Sequence, residues 1–384
     1  MKINISKKVK KVPPSGIRAF FDLVLGMDDV ISLGVGEPDF VSPWNVCEAA
    51  IHSIENGLTS YTSNKGMIEL RQAISEDLRE RYKITYHPDS EILITVGVSE
   101  ALDLALRAIL DPGDTVLIPE PCYVSYHPLS ELAGGKAVYV PTTLKTNFKL
   151  TPQILKKHIG PKVRAIIFNY PSNPTGTSYS KKELLALSKI FLKHKIAVIS
   201  DEIYGELTYD NPHVPFPTLP GVKDLTIYLN GFSKVHAMTG WRIGYACGPR
   251  HVIEAMEKIH QYSIMCAPIA GQIAGIEAVK NSADAVRDMK REYFLRREFL
   301  VSRLNHLGLD CRKPEGAFYV FPSIKKTGLT DLEFSRRLLE KENVAVVPGS
   351  AFGPSGKGHI RMAYASSMIK LKEAMLRIER FCRK

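Results

Sequence analysis

The sequence predicts an α/β protein in which a large domain, built on a mostly parallel sheet, is joined to a smaller α+β domain. Between residues 91 and 229, short apolar runs alternate with stretches of helical periodicity, as expected for parallel strands covered by helices. After residue 284, a long charged helix precedes shorter alternating strands. The chain has 384 residues, which is long enough for two domains with large cores.

The N-terminal region predicts an arm with a short helix, followed by a strand that runs into a turn at Val30–Phe40. Gly34 and Gly36 in this turn do not form a dinucleotide-binding fingerprint, because Glu37-Pro38 follows and no third glycine opens a helix. A nicotinamide dehydrogenase is therefore excluded. A glycine such as Gly36 instead suits close approach of the backbone to a ligand.

Local signals predict where several helices begin. Ser42 followed by Pro43 predicts an N-cap and the first position of a helix that Gly57 ends. Ser99–Leu110 is a helix stopped by the turn residues Asp111-Pro112-Gly113. Further helix starts are predicted at Thr151-Pro152, at the capping box of Ser180 with Glu183, and at the capping box of Thr330 with Glu333.

Apolar runs bounded by turn residues predict the strands. In the large domain they are Glu91–Gly97, Val116–Ile118, Arg164–Asn169, Ile196–Ser200 and Leu225–Leu229. In the smaller domain, the long helix from about Asp284 to Leu307 is followed by the strands Ala317–Phe321, Val344–Val347 and His359–Ala365.

The composition indicates a soluble globular protein, with 45% hydrophobic and 24% charged residues. We expect no membrane partner and no signal peptide, since no apolar run is long enough for either. The six cysteines are scattered without metal or redox spacing, which favours the reducing cytoplasm and argues against a metal site. The net charge of +11 is spread among acidic residues, so it indicates a solvated surface that attracts anionic substrates rather than a nucleic-acid site.

Lys234 is the strongest candidate for a catalytic residue. It follows a predicted buried strand and the turn Asn230-Gly231, and burial there would lower the pKa of its amine toward reactivity. Ser233 and Arg242 provide a hydroxyl and a guanidinium, which are groups that bind phosphate. A reactive lysine beside a phosphate cradle suggests pyridoxal 5'-phosphate (PLP), whose aldehyde condenses with an amine.

Other polar residues share one structural position, because they follow predicted strand ends, where the ligand crevice of an open α/β sheet lies. Each has a function in PLP binding: a carboxylate for the ring nitrogen, donors for the ring oxygen, an aromatic face for the ring, and a helix N-terminus for the phosphate. The candidate carboxylate is Asp201, the candidate donors to the ring oxygen are Asn173 and Tyr204, and the candidate aromatic face is Tyr123. The candidate helix N-terminus is formed by Val98 and Ser99.

Three motifs together resemble the signature of the PLP-dependent aminotransferases of fold type I (class I/II), in the prokaryotic aspartate/aromatic branch. They are Asn173-Pro-Thr-Gly176, Asp201-Glu-Ile-Tyr204 and Ser233-Lys234 with Met238-Thr-Gly-Trp-Arg-Ile-Gly244. The resemblance extends from Gly34 to Arg361. It implies a large domain with a mostly parallel, seven-stranded sheet. It also implies that the chain is divided into 1–45 as the arm and part of the small domain, 46–283 as the PLP-binding domain and 284–384 as the rest of the small domain.

The resemblance also implies what the individual residues do. Lys234 would bond covalently to PLP and then move the substrate α-proton, and Arg361 would bind the substrate α-carboxylate, helped by the Gly36 backbone and Asn173. Tyr61 is similar to a residue that reaches the phosphate of the neighbouring subunit, which implies a homodimer with shared active sites. A cis peptide is expected at Asn173-Pro174.

The sequence departs from the aspartate-preferring pattern at the substrate side chain. Ser15, Ile17 and Ser99 occupy positions where that pattern has small hydroxyl residues and a lysine, and the apolar Ile17 favours aromatic or large aliphatic amino donors. The expected reaction is ping-pong transfer of the amino group of an L-amino acid (aromatic, large aliphatic or aspartate) to a 2-oxo acid such as 2-oxoglutarate. A PLP-dependent C–S β-lyase and a PLP-binding regulatory domain are the alternatives.

Overall fold

The structure is a computed structural model that describes residues 3–14 and 29–383. Its α-helices are α1 (Lys7–Lys11), α2 (Trp44–Glu55), α3 (Ile68–Tyr82), α4 (Gly97–Ile109), α5 (Tyr126–Leu132), α6 (Pro152–Lys156), α7 (Lys181–His194), α8 (Arg250–Ser263), α9 (Ile269–Asn281), α10 (Ala283–His306), α11 (Asp331–Glu342) and α12 (Met368–Arg383). Single turns of 3-10 helix lie at Leu144–Thr146, Phe216–Thr218, Lys223–Leu225, Lys325–Thr327, Gly349–Phe352 and Pro354–Gly356.

A seven-stranded sheet forms the centre of the molecule, as predicted. Its strands are β2 (Ile92–Thr95), β3 (Thr115–Glu120), β4 (Lys136–Pro141), β5 (Val163–Asn169), β6 (Ala197–Asp201), β7 (Thr226–Gly231) and β8 (Gly244–Cys247). They are arranged in the order β2-β8-β7-β6-β5-β3-β4. The pairs from β7 to β4 are parallel, and β8 is antiparallel to both of its neighbours. The sheet is therefore mostly parallel.

Two of these strands were not predicted. β4 is an edge strand with mostly half-exposed residues, but its short apolar run over residues 137–140, followed by Pro141, is a strand signal that could have identified it. β8 has four residues and begins at a glycine, which makes it resemble a loop in sequence. Its pairing with β7 is a long-range contact that local patterns do not encode.

Helices cover both faces of the sheet. On one face, Leu102 and Leu106 of α4 and Met256 of α8 belong to one buried cluster with strand residues. On the other face, Leu187 and Phe191 of α7 pack in a second cluster. Burial on both faces explains why the parallel strands are continuous apolar runs in the sequence.

The capping signals were mostly correct. Thr151 caps α6, and Ser180 with Glu183 and Thr330 with Glu333 form the two capping boxes. The prediction for Ser42 was wrong: Pro43 is the N-cap of α2 and makes no side-chain cap. The Ser42 hydroxyl instead donates to the Ala237 carbonyl at 3.0 Å and accepts from Trp241 Nε1 at 2.9 Å. The peptide bond Asn173-Pro174 is cis, as predicted.

The remaining strands form two small sheets. β1 (Ile31–Ser32) pairs in parallel with β10 (Val344–Ala345), so an N-terminal strand joins the C-terminal part of the chain. β11 (Val347–Pro348), β12 (Ile360–Ala363) and β9 (Tyr319–Val320) form an antiparallel sheet. The division into 1–45, 46–283 and 284–384 stays a prediction, with which the β1–β10 pairing is compatible. Within the described ranges, no helix is long and apolar enough to cross a membrane.

Candidate active site

A cavity of about 400 Å³ lies at the carboxyl ends of the central parallel strands. The sequence-predicted residues that line it are Gly36, Val98, Ser99, Tyr123, Asn173, Asp201, Tyr204, Ser233, Lys234, Arg242 and Arg361. Parallel strands deliver their following residues to one edge of a sheet, which explains how positions far apart in sequence meet here.

Of the predicted residues that the structure describes, Tyr61 does not line this cavity. Tyr61 lies in the loop between α2 and α3, and its side chain is 81% exposed. Ile17 and the neighbouring Ser15 lie outside the described residues. Tyr61 was expected to act on a neighbouring subunit, so its exposure on a single chain is compatible with that expectation.

Lys234 lies just after β7 and points into the cavity. Its Nζ donates a hydrogen bond to the Gly36 carbonyl at 2.6 Å. Burial is the main cause that lowers the pKa of the amine to about 8; Glu37 opposes the shift, whereas the nearby Arg361 and Arg242 reinforce it. The amine is therefore much easier to deprotonate than that of an ordinary lysine.

Asp201, the last residue of β6, is almost fully buried. Its Oδ2 accepts a hydrogen bond from the Tyr126 hydroxyl at 2.7 Å, and its Oδ1 accepts one from the Ile203 amide at 3.3 Å. Burial raises the pKa of this carboxyl group to about 6, although the Tyr126 hydrogen bond acts in the opposite direction. A positively charged ring nitrogen would offset the cost of burying the carboxylate.

A candidate anion site lies where α4 begins, next to Ser233 and Arg242. A helix N-terminus presents unpaired backbone amides and a partial positive charge. Glycines keep this place narrow: a Cβ on Gly97 would lie 2.6 Å from Arg242 Nη2, and one on Gly244 would lie 2.6 Å from the Val98 nitrogen. The helix start, β8 and Arg242 can therefore approach each other closely enough to surround one phosphate.

Arg361, on β12, brings a buried guanidinium to the opposite side of the cavity. Its Nη1 donates to Asn173 Oδ1 at 2.9 Å and its Nη2 to the Gly34 carbonyl, but its Nε is buried without a hydrogen-bond partner. No Asp or Glu of the described residues forms an ion pair with it, and burial lowers its pKa. Such a guanidinium is suited to bind an incoming carboxylate.

Tyr204 and Gly36 both lie next to a third residue, Tyr319 of β9. The hydroxyl groups of Tyr204 and Tyr319 are 2.8 Å apart. A Cβ on Gly36 would lie 2.6 Å from the Tyr319 hydroxyl, so glycine is required there for close approach. Burial raises the pKa values of both tyrosines, and therefore each stays a hydrogen-bond donor.

Several lining residues were not found from the sequence. Asn169 ends β5, and its side chain donates to the Asp201 carbonyl at 2.8 Å and accepts from the Asn173 amide at 3.0 Å. Because it ends a predicted strand, the strand-end rule could have identified it. Tyr126 and Tyr319 had no comparable signal, since a short helix and a strand of the C-terminal part deliver them.

This set of groups fits PLP. The cavity holds an amine of lowered pKa for the aldehyde, a buried carboxylate for the ring nitrogen, a helix N-terminus with Arg242 for the phosphate, and a buried guanidinium with an unpartnered Nε for a substrate carboxylate. Neutral or purely apolar ligands would leave several of these groups without partners.

Comparison with known proteins agrees with this chemistry. Residues 28–378 match the family described as Aminotransferase class I and II. The chain is 51% identical to the putative aminotransferase YugH of Bacillus subtilis, over 99% of this chain and 98% of that protein. It is 45% identical to an aspartate aminotransferase of Pyrococcus abyssi, over 99% of this chain and 98% of that protein.

The crystal structure of the aromatic aminotransferase from Pyrococcus horikoshii OT3 has the same fold. It superposes with a TM-score of 0.91 at 44% identity, covering 96% of this chain and 98% of that one. The match of family, fold and site chemistry means that the chain belongs to the class I and II aminotransferases, enzymes of PLP fold type I that transfer amino groups with pyridoxal phosphate.

Proposed function

We propose that this enzyme transfers the amino group of an L-amino acid to a 2-oxo acid such as 2-oxoglutarate by a ping-pong mechanism. The observation that carries the proposal is that Lys234, Asp201 and Arg361 share one cavity. They supply a base, a partner for a cationic ring and a carboxylate binder. Both half-reactions use the same site, since every amino donor and 2-oxo acceptor carries an α-carboxylate.

Bound PLP would supply an aldehyde for the amino group and a ring that withdraws electrons from the substrate α-carbon. In this proposal, Lys234 takes the α-proton with its deprotonated Nζ and returns it later. Asp201 keeps the ring nitrogen protonated, and Tyr126 holds its carboxylate in place. Asn173 and Tyr204 bind the ring oxygen, Tyr123 packs on the ring, and Ser233, Arg242 and the amides of Val98 and Ser99 hold the phosphate.

Arg361 is proposed to bind the substrate α-carboxylate through its guanidinium edge. Asn173 and the Gly34 carbonyl hold two of its nitrogens, and the Tyr319 and Phe352 rings lie 4.6 Å and 4.9 Å from its Cζ. An arginine fixed in this way loses little conformational freedom on binding.

For the amino donor, we propose aromatic or large aliphatic amino acids over aspartate. A second cavity of about 460 Å³ adjoins the first, and both are lined by Ser99, Leu102 and Tyr123. Its described lining is mainly apolar and contains no Asp, Glu, Lys or Arg; the His127 imidazole that lines it is stacked on the Tyr139 ring, so a carboxylate side chain would find no ammonium or guanidinium partner there. The relatives include both aspartate and aromatic enzymes, so their names do not decide the donor.

We further propose a homodimer in the cytoplasm, in which Tyr61 reaches the phosphate of the partner subunit. Helix α2 and the following loop expose five large apolar side chains, which favours an interface between two copies. These residues are Trp44, Ile51, Ile54, Leu58 and Tyr61. All six cysteines are free thiols, which is compatible with a reducing compartment.

The visible absorption spectrum of the purified enzyme tests the proposed reaction. Single amino acids are added without a 2-oxo acid, and we expect the band of bound PLP to decrease with aromatic donors and to recover with 2-oxoglutarate. Fastest conversion with aspartate would contradict the proposed donor class. Release of ammonia with the band unchanged would instead indicate the lyase.

Borohydride reduction followed by peptide mapping tests the assignment of Lys234. PLP should become attached to the peptide that contains Lys234, and the Lys234→Ala variant should lose this attachment. The Lys223→Ala variant is a suitable control because Lys223 is a half-buried lysine that pairs with Glu91 outside the cavity. Attachment at another lysine in the unchanged enzyme would refute the assignment.

A further inference from the structure

Glu120 is a buried carboxylate close to the active site that no part of the proposed chemistry uses. It ends β3, and only 4% of the residue is exposed. No described Lys, Arg or His forms an ion pair with it, and burial raises its pKa. A carboxylate in such a place is costly, so its partners indicate what it does.

Those partners belong to a loop of the C-terminal part of the chain. Glu120 Oε1 accepts a hydrogen bond from the Ser355 hydroxyl at 2.9 Å, and Oε2 accepts one from the Ser355 amide at 3.4 Å. Gly353 has a φ of +112°, and a Cβ there would lie 2.2 Å from Glu120 Oε2. The carboxylate is thus enclosed by the loop that it binds.

The same loop is fixed on its other side by a second buried carboxylate. Asp331, the first residue of α11, accepts the Ser350 amide at 2.7 Å and the Gly358 amide at 3.5 Å. Residues 349–358 are therefore held between the end of a central strand and the start of a C-terminal helix. The amide of Cys122 adds a third attachment by donating to the Phe352 carbonyl at 2.9 Å.

The loop carries Phe352, which links it to the proposed carboxylate site. Phe352 is 1% exposed, and its ring centroid lies 4.9 Å from the Arg361 Cζ. Tyr319 contacts the same guanidinium at 4.6 Å but lies on a strand outside this loop. The position of Phe352, and with it one wall around Arg361, depends on how the loop is attached.

We propose that Glu120 is a positioning residue for substrate carboxylate binding. By holding the loop 349–358 against the end of β3, it fixes Phe352 against Arg361. This inference rests on the proposed function of Arg361. It assigns no contact between Glu120 and either substrate or PLP, since Glu120 does not line the main cavity.

Kinetics of the PLP-loaded enzyme test the proposal. With phenylalanine as donor, Glu120→Ala should raise KM by about tenfold, as expected for lost hydrogen bonds to a charged group, and leave kcat within about twofold. Affinity for 3-phenylpropanoate, a carboxylate without an amino group, should fall by a similar factor. Glu120→Gln keeps an acceptor for the Ser355 hydroxyl and should restore most of both values.

One control variant and one variant of the partner residue separate positioning by Glu120 from general damage to the fold. Glu131→Ala removes a carboxylate that accepts the Ala137 amide at 2.9 Å but does not contact the loop, so KM should stay unchanged. Ser355→Ala removes the hydroxyl donor from the other side of the contact. It should raise KM by a smaller factor, and it provides a second test if Glu120→Ala does not fold.

Arg361→Lys distinguishes failure of the inference from failure of the proposed function. If Arg361→Lys raises KM but Glu120→Ala and Ser355→Ala do not, the positioning of Arg361 by Glu120 is refuted while the function of Arg361 stands. If Glu120→Ala lowers PLP affinity and kcat by factors as large as its increase in KM, Glu120 supports the fold as a whole. The proposal is then equally refuted. If Arg361→Lys leaves KM unchanged, the proposed carboxylate site itself is wrong, and the inference fails with it.

Discussion

At the residue scale, Lys234 shows how surroundings create a reactive group. The side chain lies in a cavity next to two arginines and is held by the Gly36 carbonyl. Burial and positive neighbours disfavour the ammonium form, which is the physical cause of its lowered pKa. The Glu37 carboxylate acts in the opposite direction and prevents a larger shift.

The first prediction concerns the pH dependence of PLP attachment. Only the neutral amine attacks an aldehyde, so the rate at which apoenzyme binds PLP covalently should rise with pH. The midpoint should lie at about 8, the pKa of Lys234, rather than near the ordinary value of 10.5. Stopped-flow absorbance at a series of pH values measures it. A midpoint at the ordinary value would show that the amine is not perturbed.

Tyr126 is the second residue with a specific prediction. Its hydrogen bond stabilises the ionised Asp201, so Tyr126→Phe should raise the pKa of this carboxyl above its value of about 6. Asp201 must be ionised to hold a cationic ring nitrogen, and therefore the acidic limb of the activity profile should move to higher pH.

Affinity for PLP should fall on the order of tenfold in Tyr126→Phe, the effect of one hydrogen bond to a charged group. Spectral titration with PLP and a pH–rate profile provide the measurements. Tyr228→Phe is a matched control, because Tyr228 is a buried tyrosine of β7 whose hydroxyl accepts a hydrogen bond from Asn230 Nδ2 at 2.7 Å and which lines neither cavity. An unchanged acidic limb in Tyr126→Phe would argue against the assigned function of its hydroxyl.

At the element scale, the phosphate site depends on how closely α4 approaches β8. Both Gly97, at the start of the helix, and Gly244, at the start of the strand, occupy places where a Cβ would collide with neighbouring atoms. The φ of Gly97 is also +73°, which other residues rarely adopt. The glycines therefore set the distance between the helix N-terminus and Arg242.

The third prediction is that Gly244→Ala weakens both folding and PLP binding. The new methyl group would lie 2.6 Å from backbone atoms of Gly97 and Val98, which cannot move independently. Overpacking of this kind lowers the free energy of unfolding by about 1–3 kcal/mol. Thermal unfolding and PLP titration measure the two effects.

Gly160→Ala is the control for Gly244→Ala. A methyl group on Gly160 would have no neighbouring atom within 4 Å, and the φ of this glycine is not positive. The substitution should therefore leave stability and PLP affinity nearly unchanged. If Gly244→Ala behaves like Gly160→Ala, the phosphate site tolerates more separation than the geometry indicates.

At the scale of the whole molecule, the proposed dimer explains why the cavity lacks one predicted residue. Tyr61 is exposed, as are several apolar side chains of α2 and the loop that follows it. If a second copy covers this surface, Tyr61 becomes buried next to the phosphate site of its partner. The active site would then depend on association of the two subunits.

The fourth prediction tests this dependence with Ile54→Arg, at a side chain that is 61% exposed on α2. A charge inside an apolar interface is unfavourable, so the variant should be monomeric in sedimentation velocity and should bind PLP more weakly. Leu332→Arg is a matched control, since Leu332 is 62% exposed on α11. If the enzyme without any substitution is monomeric and fully active, the shared site is refuted.

Local patterns in the sequence were sufficient to predict the parallel strands β3, β5, β6 and β7, most helix starts and the group of residues at the strand ends. Apolar periodicity, capping pairs and turn residues are encoded within a few positions, and parallel topology brings strand ends together. Asp201, Asn173 and Lys234 were found in this way, and the family resemblance added Arg361.

The remaining features became known only from the three-dimensional structure. It places Tyr126 on Asp201 and Tyr319 beside Tyr204, adds the antiparallel β8, and places Ser42 against Trp241 rather than on a helix end. It also places the buried Glu120 against a loop that is distant in sequence. These contacts join distant segments through packing, and no short-range pattern specifies which distant partner a side chain meets.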